Sequence, residues 1–152
     1  MATELYDLTV PAFSRGLRAL SAILDKAVAH AAGTGVDAND WLSLRLIEDM
    51  NPLIKQVQTA CDSPKLCVAR LSGVVAPVHD DSEKTIADLQ VRIADTLAYL
   101  QSVPRAAIDG QEGKEVTLTF PGGEMKFLGQ PYVTGFAVPN FYFHLTTAYA
   151  LL

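Results

Sequence analysis

Apolar residues recur at helical spacing through most of the chain. Phe13, Leu17, Leu20, Leu24, Val28 and Ala31 follow one another at steps of three or four, and Pro11 suits a first helical turn. A helix is therefore predicted over 11–32, closed by Gly33 and Gly35. From Asp40 to Met50 a short helical segment is expected, with Trp41, Leu44 and Ile47 on one side and Arg45 and Asp49 set four apart as an ion pair. Asn51-Pro52 reads as a cap followed by proline at the first helical position, opening a second long helix through Leu71 that Pro64 kinks and Gly73 closes. Its stripe is Leu53, Val57, Ala60, Val68 and Leu71; Gln56 and Gln58 flank it on opposite edges, each about 100° from its centre, and periodicity does not choose between them. Asp80, Asp81 and Ser82 are alternative caps for a third helix carrying Ile86, Leu89, Ile93, Leu97 and Leu100, ended by Pro104 and Gly110.

The period then changes. Val116, Leu118 and Phe120 alternate with Thr117 and Thr119, and Pro121-Gly122-Gly123-Glu124 turns the chain into Met125, Lys126, Phe127 and Leu128, a small hairpin read as an inert connection or as a lid over one end of the fold. A last helical stretch runs from about Tyr132 to the end, with Val138 expected to leave the helical region before Pro139 and the helix to kink or restart there. Four long apolar-striped helices with short connections predict an all-α fold, an antiparallel four-helix bundle with a β-hairpin inserted before the last helix, as one domain over 1–152.

Composition removes several classes of function. The chain of 152 residues buries enough surface to fold without disulfides or a structural metal. At 49% hydrophobic and 19% charged it is too apolar for disorder. No apolar run approaches the ~20 residues of a membrane span. A net charge of −5 gives no general attraction to nucleic acid or anionic lipid, so neither is an expected partner. The first residues carry acids where a signal peptide would carry bases, which predicts a cytoplasmic protein. Cys61 and Cys67 on one helix stand about 9 Å apart, beyond disulfide reach, and are expected to be free thiols; a redox pair would need the helix to break at Pro64.

Phosphate-cradling glycine loops, dinucleotide fingerprints, nucleophile elbows and zinc-spaced cysteines are all missing. His30, near the solvent end of the first helix, and His79, beside Asp80 and Asp81, are expected at ordinary surface. His144 differs. On the last helix Phe136, Asn140, Phe143, His144, Thr147 and Leu151 share one broad face that must meet the core. The polar column Asn140, His144 and Thr147 needs hydrogen-bond partners there, and Gln56 or Gln58 is placed to supply them. These groups either converge on a pocket or make His144 a satisfied core histidine that pins helix register.

Leu5-Tyr6-Asp7-Leu8-Thr9-Val10-Pro11, Asp49-Met50-Asn51-Pro52-Leu53, Gln56-Val57-Gln58 and Asn140-Phe141-Tyr142-Phe143-His144-Leu145-Thr146-Thr147-Ala148-Tyr149 resemble an uncharacterised domain-of-unknown-function family, itself similar to the DinB/YfiT-like four-helix bundles. The resemblance spans essentially the whole chain and implies that relatives continue past Leu152, so the last helix is expected to be cut short. DinB-like relatives hold a divalent metal with one histidine on the second helix and a His-x-x-x-His pair on the fourth. By that resemblance His144 matches the second histidine of the pair, Asn140 stands at the first, and Gln58, with Gln56 as second choice, stands at the helix-two histidine. Amides are poor ligands for zinc or nickel, so the resemblance implies a degenerate metal site, weak or empty, at His144.

Three functional readings result. The first is an internal pocket for a small, partly apolar molecule, walled by Phe136, Tyr142 and Phe143, with Asn140, Gln58, Gln56 and Thr147 as binding residues and His144 as acid or base of an isomerase- or lyase-type proton transfer. The second is a divalent-metal enzyme of the thiol-transferase type, using zinc, nickel or manganese with water and a further carboxylate. The third is a non-enzymatic homodimeric stress or interaction protein, with Gly16 allowing close helix approach either to a partner or within the chain.

Overall fold

The computed structural model describes residues 3–152. A single-turn helix α1 (Leu5–Leu8) leads into α2 (Val10–Thr34), which Gly35 closes in the left-handed conformation at φ 73°. Phe13, Leu17, Leu20, Leu24, Ala27 and Ala31 form its buried face. Val28, expected in that stripe, is exposed, because past Leu24 the buried face passes through Ala27 instead. The expected helix at 40–50 is absent: Ala38–Ser43 is a 3-10 turn and irregular chain follows, leaving Leu44 and Ile47 exposed. Without an α-helix, residues four apart are not neighbours, and Arg45 donates to the Met50 carbonyl instead of meeting Asp49.

Helix α3 (Leu53–Ser72) has Pro52 rather than Asn51 at its cap, buries the whole predicted stripe, and runs through Pro64 to Gly73. Since the helix does not break, Cys61 and Cys67 stay apart as buried free thiols, and burial pushes each up to about 12, leaving them protonated and unreactive at neutral pH. Helix α4 (Ile86–Ser102) starts from a capping box in which the Thr85 hydroxyl accepts from the Asp88 amide and the Asp88 carboxylate from the Thr85 amide. Asp80, Asp81 and Ser82 are thus not its caps; Asp81 turns instead to Lys55 and Arg92.

Strands β1 (Glu115–Phe120) and β2 (Gly123–Leu128) pair antiparallel across a two-residue turn, with Val116 and Leu118 on the buried face. The last helix has three parts: α5 (Gly129–Tyr132), a π turn over Val133–Ala137, and α6 (Val138–Leu151). Val138 remains helical at φ −67° and ψ −50°, against expectation. Pro139 lacks an N–H and its ring collides with the carbonyl four residues back; the wider turn just ahead takes up that misfit without ending the helix.

The fold is mostly helical with one two-stranded sheet. Helix α3 lies against α4 and α6, α2 lies against the same two, and α3 with α6 makes the most extensive helix contact. Phe13 meets Phe141 edge-on at 5.1 Å between ring centres. Gly16 faces the same ring, where a β-carbon would stand 2.7 Å from it, so its close helix approach lies within the chain. No helix among the described residues is long and apolar enough to cross a membrane.

Candidate functional site

Gln56 on α3 and His144 on α6 meet across the helix seam. The Gln56 amide nitrogen donates to the Asn51 carbonyl at 3.1 Å, so its oxygen faces the imidazole and accepts from Nδ1–H of His144 at 2.6 Å. That chain selects one tautomer and leaves the lone pair on Nε2. Phe143, although half exposed, stands edge-on to the imidazole at 5.0 Å. Burial holds His144 below the ordinary histidine range, so the ring is neutral at pH 7.

The remaining expected partners go elsewhere. Gln58 turns to the opposite side of α3 and donates to Glu83 at 2.9 Å. Thr147 donates back to the Phe143 carbonyl, and Tyr142 is exposed. Asn140 donates to Ser63 on α3 at 2.7 Å. Ser63, Asn140 and Phe136 together line a cleft of about 210 Å³ between α3, the π turn and the hairpin, which contributes Leu118. Arg70 donates to the Tyr132 hydroxyl at 2.8 Å in the same cleft. Phe127 packs against both Tyr132 and Phe136, fixing the hairpin to this wall.

A second polar cluster joins α3, α4 and the loop before α4. The Arg92 side chain is only 1% exposed and holds Asp62, Asp81 and Glu83 at 2.7–2.8 Å. Lys65 pairs with Asp62 at 2.8 Å and lies 3.0 Å from Nδ1 of His79. An ammonium only donates, so Nδ1 accepts and Nε2 carries the His79 proton, 4.0 Å from Asp95. His79 is therefore mostly buried rather than ordinary surface, because the loop carrying it is drawn onto Lys65; His30 is exposed. Burial, then Lys65 and Arg92, hold His79 below the ordinary range.

Both depressed histidines have the same consequence. The unfolded chain binds protons near pH 6.5 that the folded chain refuses, so this contribution to stability is intact above that pH and is lost on acidification. The melting temperature should hold from about pH 8 to 7 and fall below about 6.5. His144→Gln should flatten the fall; an unchanged slope in thermal scans across that range would show that His144 titrates freely.

The model of a family described as Domain of unknown function (DUF1993) matches residues 5–152. The chain belongs to the DUF1993 family. It is also similar to the crystal structure of a DinB family member protein from Shewanella denitrificans, at 44% identity and a TM-score of 0.88, over 97% of this chain and 84% of that one. No curated protein matches it.

The metal expected from the DinB resemblance can be tested against the donors of this DUF1993 chain. Gln56 is committed to His144, Gln58 to Glu83 and Asn140 to Ser63, and among the described residues no three His, Cys, Asp or Glu side chains converge to hold an ion. The donor set does not fit a zinc or nickel centre. Sequence reasoning missed Ser63, Arg70 and Tyr132, which carry no spacing motif, and it missed the Arg92 cluster. Asp62 and Lys65 three apart on α3, opposite an acid-rich loop, were the available signal for that cluster.

Proposed function

We propose that this chain binds a small, partly apolar organic molecule in the cleft between α3 and the last helix, within an antiparallel four-helix-bundle domain. The observation that carries the reading is the convergence of Phe136, Asn140 and Ser63 on one hollow of about 210 Å³ beside a π turn. Such turns occur frequently at functional sites. Asn140 spends one amide proton on Ser63. Its second proton and the Ser63 hydroxyl proton remain to hold a carbonyl or a developing oxyanion, while Phe136 and Leu118 receive the apolar body.

His144 lies one helical turn beyond Asn140 but does not line this cleft, so the proton-transfer role expected of it has no contact with the proposed ligand. Held by Gln56, its imidazole instead ties α6 to α3 beside the site.

A fragment set of small amides, phenols and alicyclic ketones, followed by protein-observed NMR, tests the reading. Hits should shift resonances of α3 and the π turn. Asn140→Ala and Phe136→Ala should each weaken binding by about fivefold or more, a loss of about 1 kcal/mol, while the helical signal stays intact. Hits that bind both variants like the parent would place the ligand elsewhere and overturn the proposal.

A further inference from the structure

Resting on the cleft reading above, we infer that the ligand is a compact monocarboxylate, its carboxylate received by Arg70 and the Tyr132 hydroxyl and its apolar body lying on Phe136, Leu66 and Leu118. Arg70 is half-buried in the cleft and has no carboxylate partner among the described residues, whereas Arg92 and Arg105 each hold acids. It spends one nitrogen on the Tyr132 oxygen, and the rest of its planar fork is unused. Burial pushes the Tyr132 phenol up to about 12, so it stays protonated; its oxygen accepts from Arg70, and its own proton has no acceptor among the described residues. A guanidinium edge and a phenolic O–H at one end of an apolar cleft match the two oxygens of a carboxylate.

Asp62 also lines this cleft, but its charge is already met by Lys65 and Arg92, each at 2.8 Å. The unmatched charge facing the hollow is therefore that of Arg70. One guanidinium with one hydroxyl suits a single negative charge on a planar group better than a phosphate dianion, which wants several donors arranged around it. A volume of about 210 Å³ holds a benzoate-sized or short branched-chain acid.

Three probes with the same ring separate charge from shape: benzoate, benzamide and benzylamine, titrated into the full chain at neutral pH by protein-observed and saturation-transfer NMR. Benzoate should bind about tenfold tighter than benzamide, with benzylamine weakest. Arg70→Gln should erase the benzoate preference and leave benzamide unchanged. Arg70→Lys should keep part of it, since the charge remains without the fork. Tyr132→Phe, which keeps the ring, should reduce the preference in the same direction and serves where an Arg70 variant is unstable. Asn140→Ala should weaken benzoate and benzamide alike. Equal binding of benzoate and benzamide, or a preference that survives Arg70→Gln, overturns the carboxylate assignment while the cleft reading stands. If none of the three shifts a resonance of the cleft at millimolar concentration, both fall.

Discussion

Replacing Arg92 with methionine destabilises the protein by about 3 kcal/mol or more, although the new side chain is apolar, of similar length and placed in a buried site. The guanidinium is 1% exposed and holds three carboxylates, of which Glu83 is itself only 11% exposed. Removing it leaves Asp62 with Lys65, Asp81 with Lys55 and Glu83 with the Gln58 amide, so each acid keeps one contact but loses the shared guanidinium. The loss is dominated by stranded charge, and it therefore depends on pH. Lys55 and then Arg92 hold Asp81 below its ordinary value of 3.8, and against burial Arg92 holds Glu83 below 4.5, so Arg92 stabilises the fold above that range and its contribution fades as the acids are protonated. Urea unfolding at pH 7 and again near pH 3.5 should show the parent and Arg92→Met curves converging in acid. A loss below about 1 kcal/mol at neutral pH would mean that the cluster is a solvated surface network.

Gly129→Ala costs about 3 kcal/mol or more through sterics alone. A β-carbon built on Gly129 falls onto the Gln111 carbonyl oxygen, a backbone atom that no rotamer change can move aside, and lies 3.3 Å from Leu71. The contact sits where the hairpin hands over to the last helix, and the next residue, Gln130, bonds the Glu112 carbonyl at 3.1 Å. Relief requires the start of α5 to retreat from the Gln111–Glu112 backbone, and the π turn with Phe136 moves with it. Chemical denaturation should report the loss, and cleft resonances should shift without any ligand. An alanine variant as stable as the parent would show that the Gln111 backbone yields readily at this approach.

The helices were legible because burial imposes periodicity. Leu53, Val57, Ala60, Val68 and Leu71 lie in the core where their spacing put them, and the period-two run from Val116 became β1. Segments with little periodic signal were misread: 40–50 holds three apolar residues at helical spacing but lacks the length and capping that would make that spacing decisive. Pro139 was expected to drive Val138 out of the helical region and kink or restart the helix, because a local rule knows nothing of a compensating wide turn. Of the site, Phe136 and Asn140 line the cleft, His144 meets Gln56, and Gln58 faces the opposite side.

From the residues alone came the number of long helices, the buried stripe of α3, the hairpin and the family resemblance, since each depends on neighbours within about two turns of chain. On the last helix, by contrast, Phe141 is buried and Phe143, expected inside, is exposed. Partner choice was left to the tertiary structure. Gln56 and Gln58 stand equally far from their stripe, and the Asn51 carbonyl and Glu83, brought in from either side of α3, assign one amide to His144 and the other to the ionic cluster. Hydrogen bonds and ion pairs are short-ranged and directional, so what a polar side chain does is set by which distant group arrives within 3 Å, information that no local period carries.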